Sequence, residues 1–299
     1  MDRFVADPHW HDYILWYFYL GGIAAGAYAQ AMLAVLFGSE SDRRSARGAS
    51  YLALPIVALC GLLLTIDLGR PERFWHMLIQ SETFRPMVKW WSPMSAGSWG
   101  LTTFGGFSAV SFLAVLIEDQ WLPARFRARW VVALNRSKVF ALGGLVSAFF
   151  LGSYTGALLS ATNQPVWANT TWLAPLFLAS SASTGIAALL LFDRWRGDGD
   201  EPARERLEWA DHWAIGLEAV LLAAFAVSLG GLAVPALGRW PGVLIPAVVV
   251  PLGLVAPPVV ARWGGRGGAW AAPVSVLIAG FALRAAVVGM PPPLLLTHH

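Results

Sequence analysis

Eight runs of about 18–25 mostly apolar residues recur along this 299-residue chain, separated by short polar connections. They span about Tyr13–Phe37, Tyr51–Leu68, Ser95–Ile117, Lys138–Ala161, Leu173–Phe192, His212–Pro235, Pro241–Ala261 and Ala269–Met290. A helix of that length covers about 30 Å, the thickness of a bilayer's hydrocarbon core. Lipid offers the backbone no hydrogen bonds, so a spanning segment must satisfy its own. The expected fold is therefore all-α: a polytopic membrane protein of eight transmembrane helices, arranged as two four-helix bundles. The seventh run carries Pro246, Pro251, Pro257 and Pro258 and should be kinked or broken. Composition agrees. Apolar residues make up 57% and charged residues 13%, against about 25% charged in soluble domains. A soluble domain and a disordered chain are both excluded.

Cysteine and histidine narrow the chemistry. One cysteine, Cys60, permits no internal disulfide, no iron–sulfur cluster and no structural zinc site. The six histidines are His9, His11, His76, His212, His298 and His299, and none lies deep within an apolar run. A haem held between spans needs axial histidines at depth. The expectation is a protein with no haem, no iron–sulfur cluster and no bound metal.

The charge is best read loop by loop. Fourteen basic residues fall on the side reached after the first span, and six on the side of the N-terminus. The positive-inside rule then puts the N-terminal side, side A, outside, and the opposite side, B, in the cytoplasm. Both termini are expected on the outer, periplasmic side. Three acidic residues and no basic cluster precede the first span, so no removable signal peptide is expected. The basic run from Arg125 to Lys138 is flanked by spans. It reads as a charge cluster beside lipid headgroups, with no nucleic-acid partner.

Ionisable groups inside apolar runs are functional candidates by default. Asp67 ends the second run, and Arg70 and Arg73 follow at once. They would fix the loop or dock a partner, while Asp67 would serve proton transfer or a structural ion pair. Glu218 and Arg284 are the other charges in spans. Counted along the apolar runs, Glu218 lies roughly 9 Å from side B and Arg284 roughly 22 Å, so Asp67–Arg284 is the expected pair. Glu218 with Gln30 would begin a proton path from side B, or Glu218 would snorkel to the boundary. The connection from Gly69 to Met94 is long and tryptophan-bearing, which suits an interfacial segment with a function.

Five stretches carry a resemblance. They are WYFYLGGIAAG (Trp16–Gly26), DLGRPERFW (Asp67–Trp75), SPMSAGSW (Ser92–Trp99), SYTGALLSAT (Ser153–Thr162, with Pro165 and Trp167 after it) and LAPLFLASSASTG (Leu173–Gly185). In this order they resemble the NrfD/PsrC family, the membrane subunits of polysulfide reductase and related complexes. The likeness covers roughly residues 10–190; the last three spans match only in hydropathy.

The resemblance implies a quinone-reactive anchor that exchanges electrons between a docked iron–sulfur subunit and menaquinone or ubiquinone near side A, with possible proton translocation. It implies a ferredoxin-like partner with several clusters and a molybdopterin-containing catalytic subunit beyond it. The location implied is the inner (cytoplasmic) membrane of a bacterium or archaeon. Residues 1–192 would hold the quinone site and the docking loop 69–94, and residues 193–299 the last three helices.

Tyr154, in the SYTG motif, is the first quinone-binding candidate, since a phenol hydrogen-bonds a carbonyl and passes a proton. Tyr13 and Tyr17 occupy the positions where the family has Asn and His, one helical turn apart on one face. His11 and Asp12 lie at the mouth as proton relays, and Ser95 lies near the pocket. For each there is a plainer reading: an aromatic belt, a packed tyrosine, a helix cap. Two other functional classes compete, a stand-alone secondary transporter and an anchor that binds no quinone.

Overall fold

The computed structural model of the protein describes residues 12–45, 47–89, 91–123, 128–162, 164–197, 200–238, 240–263 and 265–290. Eight helices are long and apolar enough to cross a membrane. They are α1 (Asp12–Phe37), α2 (Arg47–Asp67), α3 (Pro93–Glu118), α4 (Lys138–Ser160), α5 (Leu173–Arg196), α6 (Glu201–Ser228), α7 (Ile245–Val255 continuing as Ala256–Trp263) and α8 (Gly265–Gly289). Short helices Glu40–Ser45 and Arg129–Asn135 lie on side B. The side A connection holds a 3₁₀ helix, Pro71–Met77, and an isolated antiparallel bridge between Ile79 and Pro86.

Local sequence explains where the helices start. Ser92 caps α3 by accepting from the Ser95 amide, and Pro93 occupies the first turn. The cap thus falls three residues before Ser95, the serine that opens the apolar run. Ser137 caps α4 in the same way through the Phe140 amide.

Two spans depart from the hydropathy reading. Helix α6 begins at Glu201, not at His212. Its first three turns are charged and carry no apolar signal, but Pro202 and Glu201 suit a helix start and nothing after them breaks the helix. Helix α7 is continuous across its prolines and departs from α geometry instead: it runs as a π-helix over Ile245–Val255 before returning to α. The wider turn accommodates Pro251, which cannot donate to an α-helical ladder.

Helices α1–α4 form one four-helix group, with α1 against α2 and α4, and α3 closing the ring between them. Helices α5–α8 form a second group, α5 against α6 and α8, and α7 against α8. Helix α5 also packs along α1 and α4, so it is the seam of the molecule. The seam is tight because it is lined with small residues. A Cβ on Gly26 would collide with the backbone of Ser181, and one on Gly185 with the backbone of α1. Close backbone approach of this kind is how helices associate in lipid, where burial of apolar surface gives no driving force. Trp167 joins the groups at side A: it is fully buried and its indole N–H donates to the Val287 carbonyl at 2.8 Å.

Candidate functional site

Two polar constellations gather the candidate residues; separate from them, a Tyr28–Ser111–Asn135 hydrogen-bond chain joins α1 to α3. The first is on the side A half, where α1, α2, α3 and α4 meet. Tyr154 lies near the end of α4 and is 8% exposed. Its hydroxyl donates to the Pro93 carbonyl at the start of α3, at 2.7 Å. Its ring stacks on Phe150 with centroids 5.5 Å apart and planes 21° from parallel. The ring lies against Gly97; a Cβ there would strike it. Tyr17 is 3% exposed and sits beside Gly21 and Cys60, whose thiol lies 3.9 Å from the Tyr17 carbonyl. Tyr17 and Tyr154 are close enough to interact electrostatically. Two of the expected tyrosines, more than a hundred residues apart in sequence, thus lie within electrostatic range of each other.

The other candidates near side A are distributed. Tyr13 shares a face with Tyr17 but is 45% exposed, above the packed region. Asp12 is exposed at the start of α1, and His11 lies outside the described residues. Ser95 acts as a clip: its hydroxyl donates to the Met87 carbonyl (3.3 Å) and accepts from the Lys89 amide (3.1 Å). Trp99 donates to the same Met87 carbonyl at 3.0 Å. Together they hold the side A connection onto α3. Arg70 and Arg73 are exposed on that connection, which also exposes Phe74, Phe84, Val88, Trp91 and Met94.

The second constellation is the Arg284 network between α1, α5, α6 and α8. Arg284 is fully buried. It donates to the Phe18 carbonyl (3.1 Å), the Gly280 carbonyl (2.9 Å), the Ser180 hydroxyl (3.2 Å) and the Ser181 hydroxyl (3.2 Å). The absence of a side chain at Gly22 leaves the space its guanidinium fills. Glu218 accepts from Ser183 at 2.8 Å, and Ser180, which accepts from Arg284 at 3.2 Å, stands between the carboxylate and the guanidinium.

This corrects the expected Asp67–Arg284 pair: the charge that Arg284 feels is Glu218. Counted from the helix starts at Glu201 and Gly265, Glu218 and Arg284 each stand about five turns along their helices. Glu218 therefore lies about three turns further along its helix than the apolar run suggested. Asp67, half-buried at the end of α2, takes no part in the network. Gln30 is not joined to Glu218 either. It lines a separate cavity of about 460 Å³ on side B, with Asp42, Arg206 and Trp209.

Sequence reasoning missed Asp211 and the serines of α5. Asp211 is 8% exposed, and its Oδ1 has no hydrogen-bond partner among the described residues. It lies two turns before Glu218 and interacts with it electrostatically. It escapes a hydropathy reading because it immediately precedes the apolar run. The serines were legible: Ser180, Ser183 and Thr184 stand at i, i+3 and i+4, one helix face. Among the described residues no three His, Cys, Asp or Glu side chains gather in metal-binding range.

Comparison with known proteins decides the family. The family model described as "Polysulphide reductase, NrfD" matches residues 5–248. The chain belongs to the NrfD family. The C chain of polysulfide reductase from Wolinella succinogenes is 34% identical over 190 residues, covering 61% of this NrfD-family protein and 57% of the relative. Protein NrfD of Escherichia coli K12 is 29% identical over 239 residues, 74% of this protein and 71% of that one. The C subunit of selenate reductase from Mesobacillus selenatarsenatis is 24% identical over 125 residues, 42% of this protein and 26% of that one. The match thus spans little more than half of the Wolinella relative and about a quarter of the selenate reductase relative. The family match covers both constellations, Arg284 excepted.

Proposed function

We propose that this protein is the membrane-spanning, quinone-reactive subunit of a multisubunit reductase complex. The relatives named for polysulfide and selenate reductases support that setting. The observation that carries the reading is the buried Tyr154, its hydroxyl directed at the start of α3 beneath the side A connection, with the buried Tyr17 in electrostatic range. A quinone, menaquinone or ubiquinone, supplies a two-electron, two-proton carrier when bound.

The residues present fit such a head group. Tyr154 offers one O–H donor, now directed at the Pro93 carbonyl, and a quinone carbonyl would compete for that donor. Phe150 stacks on the ring, and Gly97, with no side chain, lets the ring lie against α3. Tyr17 and Cys60 close the inner wall and exclude water. Asp12, exposed at the start of α1, and His11, its neighbour in sequence, would serve as proton relays, with Tyr13 and Ser95 at the margin. The exposed apolar side chains of the connection, with Arg70 and Arg73 among them, form the surface an iron–sulfur subunit would cover. That subunit would pass electrons between the quinone and a catalytic subunit, and side A would face the periplasm of an inner membrane.

Proton transfer from side B would use the second constellation. Asp211 takes the proton in, Glu218 receives it two turns further, and Ser183 and Ser180 lead on to Arg284. Asp67 and Gln30 would act only at the two ends, since neither is joined to the network.

The test is purification from the native membrane in mild detergent, with mass spectrometry of proteins and extracted lipids. We expect a cysteine-rich iron–sulfur subunit and a quinone to copurify. Tyr154→Phe should lower quinone-linked turnover by about a hundredfold while leaving the complex assembled. A protein that emerges alone and free of quinone would overturn the reading in favour of a stand-alone transporter. Unchanged turnover in Tyr154→Phe would leave only an anchor.

A further inference from the structure

A polar crevice of about 300 Å³ opens at the side B end of the molecule. It lies where the short helix Glu40–Ser45, the start of α2, the end of α3 and the end of α5 converge. Its charged walls are Arg44, Arg47 and Arg196 on one hand and Asp119 and Asp193 on the other. On the acidic side Asp119 is engaged, while the Oδ2 of Asp193 is buried with no hydrogen-bond partner among the described residues. Asp119 accepts from Tyr51 at 2.6 Å and from Arg47 at 3.3 Å, with Arg196 at 3.9 Å. The basic side keeps a donor in reserve. Arg44 is exposed and makes no hydrogen bond or ion pair with another described residue. The Arg196 guanidinium is spread 5.2 Å over the Tyr51 ring, which fixes its plane at the wall of the crevice.

Charge and position define what would fit. Arg47 is paired with both Glu118 (3.1 Å) and Asp119 (3.3 Å), so the uncommitted positive charge at the crevice is that of Arg44, a single charge that suits a phosphodiester monoanion. Trp121 and Trp195, 76% and 75% exposed, flank the crevice and mark the membrane–water boundary. Phe192 gives the crevice one apolar wall, suited to the glycerol and the first acyl carbons. We propose that this crevice binds the phosphodiester of an anionic membrane phospholipid, with Arg44 as the principal contact and Arg47 and Arg196 beside it. Basic recesses between helix ends are suited to such headgroups. The site is remote from Tyr154 and does not depend on the quinone reading.

The test is native mass spectrometry of the full-length protein in detergent, titrated with dioctanoyl phosphatidylglycerol, dioctanoyl phosphatidylcholine and the soluble headgroup glycerophosphoglycerol. We expect phosphatidylglycerol to bind best. Arg44→Gln should weaken it roughly tenfold, the effect of losing one charge-assisted bond. Arg44→Lys should retain most of the affinity. Arg129→Gln, an exposed arginine outside the crevice, should change it by less than about twofold. Equal binding by wild type and Arg44→Gln would overturn the site. Equal binding of phosphatidylcholine would overturn the charge argument. Glycerophosphoglycerol binding as tightly as the lipid would overturn the membrane source. Arg44 holds no structural pair among the described residues, so its substitution should leave the melting temperature unchanged; a fall in melting temperature would assign it to folding instead.

Discussion

The Glu218–Ser180–Arg284 network makes a prediction whose sign and asymmetry follow from geometry. Glu218→Gln preserves shape and the Ser183 bond but leaves the fully buried Arg284 without its counter-charge. A guanidinium cannot shed its proton. Breaking a buried pair in this way costs about 3–5 kcal/mol. Arg284 keeps its donors on two carbonyls and two hydroxyls, so the lower end, about 3 kcal/mol, is expected. Arg284→Met fills the same space with apolar atoms. It leaves a carboxyl that escapes by taking a proton, so about 1–2 kcal/mol is expected. The double variant removes both charges and should lose about 2 kcal/mol, well short of the sum. The assay is equilibrium unfolding in mixed micelles with tryptophan fluorescence on the wild type and all three variants. Additivity within about 0.5 kcal/mol would refute the coupling across Ser180.

Other expectations follow from single contacts. Gly26→Ala places a methyl on the backbone of Ser181, so α1 and α5 must separate, and expression of folded protein should fall sharply in a fluorescence size-exclusion assay. Ser92→Ala removes the α3 cap and should cost about 1 kcal/mol in the same unfolding experiment, with the fold retained. Asp211→Asn should slow proton uptake from side B in proteoliposomes while quinone-linked electron transfer persists; equal loss of both would place Asp211 in folding instead. Ser95→Ala should loosen the side A connection and raise its hydrogen exchange around Met87–Lys89, without altering exchange in α4.

The eight spans, their order and their all-helical character were legible from the apolar runs, because lipid forces helices of a set length. Tyr154 and Tyr17 were also legible, but only through motif resemblance; spacing alone leaves them as belt or core tyrosines. That they come within electrostatic range, with Cys60 beside Tyr17 and Gly97 beside Tyr154, depends on how α1, α2, α3 and α4 cross, and no local pattern encodes a crossing. The hidden start of α6 shows the limit in physical terms. Hydropathy reports where lipid begins, whereas helix ends are set by caps and breakers, so the two rulers disagree wherever a helix leaves the membrane. That disagreement misplaced Glu218 and concealed Asp211. The sequence by itself determined a polytopic helical protein with its few charges in known spans. Tertiary packing decided which charges meet: Arg284 faces Glu218 across Ser180, because three helices present those side chains at one depth while Asp67 stays at the end of its own.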